Sequence, residues 1–490
     1  MMETLGMTTS ACPACGRLVP AKIVSDGRDV FFRKHCPQHG ESQAFVRSDA
    51  DDYLRTLRYV KPAWVPREFA GDASADCPRG CGFCSRHEQH LCMPIIEITS
   101  RCDLECPVCL VDAGRPWDMS LAEFRRVLDG LLRAESQIDV LNVSGGEPLL
   151  HPDLPAFVDE ALSRGHGSVR ATAAVARRGR RPAPTRPGII RVSISTNGLR
   201  LLDDRKLLRS LRDRNACISL QLDGFDDRAY EILRGRPLLA EKLRILDLLA
   251  EEGVSTSLTM TVAGGVNDDQ FRPMLDCLFS REHVVSMMIQ PVAFAGRGAG
   301  LAGSAKRMTI PDVIAGLAGA GHPAVSAQDF VPLPCGSPLC FSLAFYLMAD
   351  GGKPVAFTSF INAGEMLDAV SNRVFFGLEP AEYEHLQRTI YELWSGPAGS
   401  LPQGEAVMAT VRKLLRATSC CGFDPKRLFA EAERCVKSIF IHAFMDADTF
   451  DLARVRRCCN AYPQPDGRLV PACVHNVLDG RRTGGGNEQR

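Results

Sequence analysis

Between about residues 93 and 300, short apolar or β-branched runs alternate with segments whose apolar positions recur at helical spacing. The runs are Ile95–Thr99, Val140–Val143, Ile189–Ser195, Cys217–Leu222, Val254–Val262 and Val284–Pro291; Leu121–Leu132 and Leu238–Ala250 are two of the helical segments. Strand and helix alternating at such intervals predict βα units and a parallel sheet. Six strands predict an α/β fold of the partial (β/α)6 TIM type rather than a closed eight-fold barrel. The boundaries expected are a metal module at 1–60, a cysteine-bearing segment at 61–92, the barrel at 93–320 and a further domain at 321–490. No repeat of solenoid type is present.

One stretch breaks the alternation. From Arg170 to Arg191 the chain carries seven arginines, no acidic residue and three prolines, which predicts an exposed insertion. Arginine outnumbers lysine 48 to 10 over the whole chain, so a solvated loop explains the run better than a nucleic-acid contact.

Composition narrows the class. Of 490 residues 45% are hydrophobic and 24% charged, and 58 basic side chains balance 58 acidic ones. Disorder, collagen and coiled coil are excluded, and binding to nucleic acid or an anionic membrane through net charge is not expected. Twenty cysteines are about 4% of the chain, below the roughly 8–10% of disulfide scaffolds. Met1–Ser10 lacks the pattern of an export signal, and apolar stretches such as Leu339–Ala349 fall short of the ~18 residues of a spanning helix. A cytoplasmic protein whose cysteines bind metal is the expectation, peripheral to the membrane if its substrate is a lipid.

The cysteines are grouped, as metal ligation demands. Cys102, Cys106 and Cys109 lie directly after the first barrel strand in Glu97–Leu110, with Cys-x3-Cys-x2-Cys spacing. Three thiolates on one loop can hold three corners of a four-iron four-sulfur cube and leave the fourth iron open. Loops after barrel strands build the active face. A structural zinc site would want a fourth ligand close by, and no histidine follows within the loop.

These residues are similar to the signature of the radical S-adenosylmethionine (SAM) superfamily. Three further segments match that family in order: Ser144-Gly145-Gly146-Glu147-Pro148, Ile194-Ser195-Thr196-Asn197-Gly198 and Gln221-Leu222-Asp223-Gly224, each at a successive strand end. The resemblance implies that the open iron chelates SAM and that reductive cleavage gives a 5′-deoxyadenosyl radical. It further implies cofactor contacts at Gly145, Gly146, Glu147, Ser195, Asn197, Gln221 and Asp223. The glycines would let backbone approach the ligand, and Glu147 would offer a carboxylate to the methionyl ammonium.

Accessory groups flank the barrel. Cys77, Cys81 and Cys84 repeat the active spacing, with Cys92 seven residues later; four sulfurs can close a cube, and zinc is the competing occupant. Cys12, Cys15, Cys36 and His39 describe a rubredoxin-like or zinc-ribbon site for one iron or zinc ion. Cys335, Cys340, Cys458, Cys459 and Cys473 form a less regular set for a second auxiliary cluster, with one of the adjacent pair expected to ligate. Cys217 and Cys277, among apolar neighbours, read as core.

The whole combination, over about residues 12 to 476, resembles the class D radical SAM methyltransferases, which include enzymes acting on dihydropterins and tetraether lipid synthases. That resemblance implies a new carbon–carbon bond at an unactivated carbon of a small molecule or lipid, with electrons from a reductase or ferredoxin-type donor. For a lipid, Leu339–Ala349 and Ser438–Met445 could line an apolar groove, although buried core helices have the same pattern. An iron–sulfur electron carrier or zinc-ribbon regulator without SAM is the alternative, and it has no need of an open iron beside Gly-Gly-Glu-Pro.

Overall fold

The computed structural model describes residues 2–59, 65–71, 77–78, 80–110, 116–135, 137–164, 188–333, 336–349, 351–362, 404–419 and 433–479. The N-terminal residues form an antiparallel sheet of β1 (Glu3–Ala11), β2 (Leu18–Ser25), β3 (Val30–Cys36) and β4 (Gly40–Arg47), in that order. So small a sheet buries little by itself. Its Ala21, Ile23, Val30 and Phe32 complete a core with Ala50 and Tyr53 of α1 (Ala50–Thr56) and with the distant Leu339.

The predicted barrel strands form in chain order as parallel neighbours: β5 (Met93–Glu97), β6 (Gln137–Ser144), β7 (Gly188–Thr196), β8 (Cys217–Gln221), β9 (Thr256–Val262) and β10 (Val284–Pro291). One side chain from each, Ile96, Val143, Ile194, Leu220, Met260 and Ile289, is wholly buried in a single core. Helices α2 (Leu121–Ala134), α3 (Leu154–Ser163), α4 (Arg205–Asp213), α5 (Asp227–Arg234), α6 (Leu239–Glu251) and α7 (Phe271–Ser280) intervene. Local chemistry sets their ends. Ser120 and Glu123 make a reciprocal capping box at the start of α2, and α5 stops at Gly235, whose φ of 87° suits a residue without Cβ.

The sheet runs on beyond the six expected strands. After β11 (Val331–Pro332), β12 (Phe341–Ala349) and β13 (Lys353–Ala356), β14 (Val436–His442) pairs parallel with β10, and β15 (Asn460–Pro463) pairs parallel with β5. β16 (Leu469–Pro471) closes that side, so residues after 320 supply both edges of one 12-stranded open sheet. Leu339–Ala349 and Ser438–Met445 are therefore not core helices. They fall mainly in β12 and β14, paired antiparallel and largely buried. Unbroken apolar runs of this length carry no period to tell strand from helix. Among the described residues no helix is long and apolar enough to cross a membrane.

The arginine-rich segment lies outside the described residues as far as 187. Its last member, Arg191, is not in an exposed loop but within β7, 4% exposed and ion-paired with Glu433. Cys217 and Cys277 are buried, as a core reading requires.

The ribbon is fastened to the C-terminal segment by Lys34. Its ammonium donates to the carbonyls of Ala11 (3.0 Å), Ala447 (3.3 Å) and Asp448 (2.6 Å), while Thr8 Oγ1 donates to Asp451 at 2.5 Å. Lys34→Met is expected to cost about 2–4 kcal/mol, since buried carbonyls lose a charged donor. Urea unfolding reads this, and an unchanged midpoint would contradict it.

Candidate metal centres and active site

The cysteine loop is held by the next strand end. Gly146 N donates to Thr99 O at 2.8 Å and Glu147 N to Arg101 O at 2.7 Å, which lays Gly-Gly-Glu-Pro against the segment entering Cys102. A Cβ on Gly145 would stand 2.3 Å from Thr99 O, and one on Gly146 2.3 Å from Arg101 O. The glycines thus let backbone approach backbone closely here.

Glu147 is bonded within the protein in the same way. Its side chain is 1% exposed, and it accepts from Thr196 Oγ1 (2.6 Å), Asn197 N (2.8 Å) and Leu149 N (3.0 Å). Burial pushes its pKa up to about 7 against the pull of those donors. The carboxylate ties β6 to the end of β7. Asn197 continues the brace, because its Nδ2 donates to Asp103 Oδ1 in the cysteine loop at 2.6 Å and its carbonyl accepts from the buried Lys242 at 2.5 Å. Ser195 Oγ donates to Asn142 at 3.0 Å.

Asp223 is also committed inside the protein. It is wholly buried, accepts from Arg234 through two bonds of 2.6 and 2.9 Å, and accepts from Thr261 N at 2.9 Å. Burial works against the Arg234 charge, but Asp223 outweighs it and holds the pKa above its usual value, with the nearby Cys106 thiol acting in the same direction. Arg297 does likewise at Cys109, and its backbone N donates to Cys109 O at 3.0 Å. Two cations therefore face the thiols, which the sequence reading missed; in so arginine-rich a chain nothing marks them.

The arrangement fits an iron–sulfur cluster and SAM. Cys102 is exposed while Cys106 and Cys109 are half-buried, so all three thiols are reached from solvent. Gln221 is linked to them through Asp223 and Arg234. Its Oε1 is shut off from solvent and accepts no hydrogen bond among the described residues, although Nε2 of the same amide donates to Asp223. An orphaned buried acceptor is what a bound ligand satisfies.

The ribbon site is ready for a single metal ion. Cys12, Cys15, Cys36 and His39 bring their ligand atoms within 4.8 Å of one another, the only such group among the described residues. Zn–S bonds of ~2.3 Å and Zn–N bonds of ~2.0–2.1 Å in a tetrahedron put sulfurs about 3.8 Å apart and sulfur about 3.6 Å from nitrogen. The separations here are 3.9 Å for Cys15–Cys36, 3.7 Å for Cys12–His39 and 3.5 Å for Cys36–His39. The Gln38 backbone N–H, followed by the His39 ring, draws the Cys36 thiol down to about 6, toward the form a metal needs.

Among the described residues the other thiols do not converge as closely as those of the ribbon. Cys81 feels the charges of Cys77 and Cys84, and burial raises its pKa to about 11. Cys458 faces Cys473, Cys459 and Cys340, and burial followed by those thiols pushes its pKa well up. Cys459 packs instead against Cys92 and Phe341, with Cys340 at the margin, so the adjacent pair diverges. Cys92 N donates to Cys459 O at 2.9 Å, bringing the two accessory groups side by side. Cys335, Cys420 and Cys421 lie outside the described residues. The sequence reading also missed His90, whose Nε2 is 3.5 Å from Cys92 Sγ while Nδ1 lies 3.3 Å from Glu135 Oε2. Its place two residues before Cys92 was the available signal.

Residues 96–278 match the Radical SAM superfamily, and residues 4–48 match the HMPTM N-terminal zinc ribbon domain. The barrel is thus a radical SAM domain behind a zinc ribbon, and the chain is a radical SAM enzyme. Its likeness to one curated protein runs nearly end to end. It is 25% identical to the 7,8-dihydro-6-hydroxymethylpterin dimethyltransferase of Methanocaldococcus jannaschii, over 96% of this chain and 93% of that one. It is 27% identical to the GTP 3′,8-cyclase of Chlorobaculum tepidum over 40% of this chain and 53% of the cyclase. Among solved structures, Streptococcus suis SuiB bound to S-adenosylmethionine aligns with a TM-score of 0.31 and 13% identity, over 42% of this chain and 41% of that one.

Gly146→Ala is expected to displace the cysteine loop, because its Cβ would meet carbonyl oxygen at 2.3 Å. Iron counted after anaerobic reconstitution should fall by about four atoms per chain, one cube; a full complement would contradict the bracing role. Cys36→Ser should remove one zinc or iron ion per chain and leave the ribbon open to protease. Metal content and digestion both equal to wild type would contradict ligation there.

Proposed function

We propose that the enzyme methylates a carbon of a small dihydropterin-like molecule by radical chemistry. The observation that carries the reading is the end-to-end match to the pterin dimethyltransferase, which takes in ribbon, barrel and accessory cysteines together. In this reading Cys102, Cys106 and Cys109 hold the active cluster, which when bound with SAM supplies the hydrogen-abstracting radical. Arg234 and Arg297 offset the charge of the thiolates, while Glu147 and Asn197 fix the loop that presents them. Gln221 offers its free carbonyl oxygen to the cofactor.

Cys77, Cys81, Cys84 and Cys92 on one side, with Cys340, Cys458, Cys459 and Cys473 on the other, would hold one or two auxiliary clusters. Electrons would come from a reductase or ferredoxin-type donor in the cytoplasm.

The test is to incubate the reconstituted, reduced enzyme with SAM and 7,8-dihydro-6-hydroxymethylpterin and follow the pterin by mass spectrometry. A pterin product heavier by one or two methyl groups is expected. Deoxyadenosine formed over many turnovers with the pterin unaltered would contradict the assignment.

A further inference from the structure

The two faces of each barrel strand differ in kind. One face carries the buried apolar residues that pack against the helices, and the other carries half-buried polar ones. At the C-terminal ends the register brings Glu97, Ser144, Ser195, Gln221, Thr261 and Gln290 to that second face. Five of these are neutral hydrogen-bonding side chains, and Glu97 alone carries a charge. Hydroxyl and amide groups recognise a ligand that is itself polar, and a carboxylate among them selects for N–H donors.

Glu97 is also where the returning C-terminal chain meets this face. Tyr462 and Ala472 pack on Ile95, which shares Glu97's side of β5. The His475 ring stacks on Tyr462 with centroids 4.3 Å apart, and its Nε2 stands 3.7 Å from Glu97 Oε2. That is beyond hydrogen-bond reach, and the carboxylate, whose side chain is 23% exposed, accepts no hydrogen bond among the described residues. Burial, followed by the Glu97 charge, pushes the Tyr462 pKa well up, and Cys473 and Cys109 act in the same direction. Glu97 and its neighbours therefore stand within electrostatic range of the active loop and of the accessory thiols at once. Asn476, 7% exposed, opposes that rise from beside the Tyr462 hydroxyl, yet its Nδ2 is shut off from solvent and makes no hydrogen bond of normal geometry among the described residues. A buried donor left over beside an uncommitted acceptor is hydrogen bonding that a ligand completes.

We infer that Glu97 is the residue that selects the substrate, and that it takes a planar heterocycle by an edge on which a ring N–H and an exocyclic amino group lie side by side. Such an edge presents two parallel donors, as a guanidinium does, and a carboxylate accepts them through both oxygens. Asn476 Nδ2 donates to a ring acceptor next to that edge, and the stacked rings of Tyr462 and His475 form the adjoining wall. The inference rests on the pterin reading and adds to it the residue that recognises the substrate. Glu97 ends β5, whose following loop carries Cys102, so a heterocycle held there lies beside the active cysteines.

The test is equilibrium binding to the reconstituted full chain without reductant, so that no turnover intervenes. Two probes are compared, 7,8-dihydro-6-hydroxymethylpterin and the dihydrolumazine in which oxygen replaces its 2-amino group. The wild type is expected to bind the pterin about 10-fold or more tightly than the lumazine, which sets a carbonyl against the carboxylate. Glu97→Gln is expected to weaken pterin binding about 10- to 100-fold without weakening lumazine binding, since only the pterin makes the charge-assisted bonds that are lost. Iron content and a urea midpoint equal to wild type show that the variant has folded; if it has not, the wild-type preference between the probes decides alone. Equal wild-type affinity for the two probes, a folded variant that loses both alike, or one that binds the pterin within twofold of wild type would overturn the role of Glu97 and leave the pterin reading standing. No binding of the pterin by the wild type would overturn both.

Discussion

Two backbone hydrogen bonds, from Gly146 to Thr99 and from Glu147 to Arg101, are the constraint on which the active face depends. They need glycine at 145 and 146, because any Cβ there would collide with the facing carbonyls. Once the strand ends are joined in this way, the Glu147 carboxylate is sealed beneath them. From there it reaches Thr196 and the Asn197 backbone, and Asn197 in turn reaches Asp103. Residues that resemble cofactor contacts in the sequence thus form a buried brace that sets where three thiols stand.

The second organising element is the return of the chain. β14 and β15 extend the parallel sheet at opposite sides, and the segment between them carries Asp446, Asp451, Arg454, Cys458 and Cys459. Asp446 receives Arg307 at 2.7 Å and the Phe294 backbone N–H at 3.0 Å, so that segment is anchored to the loop after β10 as well as to the ribbon. Ribbon, the loop after β10 and the C-terminal segment are thereby locked together by a few buried charges. Such charges cost desolvation and hold their geometry because each is paired or hydrogen-bonded.

Much of this was legible in the sequence. The six barrel runs, Val284–Pro291 being an instance, are strands because a buried parallel strand must be apolar on both faces. The ribbon quartet was legible because metal ligation imposes spacing and residue type together. What escaped depends on distant partners. Arg191 reads as part of a polar loop until Glu433, 242 residues away, is placed beside it. Arg234 and Arg297 are two among 48 arginines, and only the fold turns them toward Cys106 and Cys109. The buried partners of Glu147 and Asp223 escaped for a related reason, since sequence shows that a carboxylate is present but not what is bonded to it.

The central claim is that Cys102, Cys106 and Cys109 make one redox-active site that cleaves SAM. The most direct measurement is 5′-deoxyadenosine released on reduction of the anaerobically reconstituted chain with SAM, beside the same chain carrying Cys102→Ala, Cys106→Ala or Cys109→Ala. Deoxyadenosine from the wild type and none from the three variants is the result expected. Substantial deoxyadenosine from any variant, or none from a wild-type chain fully loaded with iron, would contradict the account.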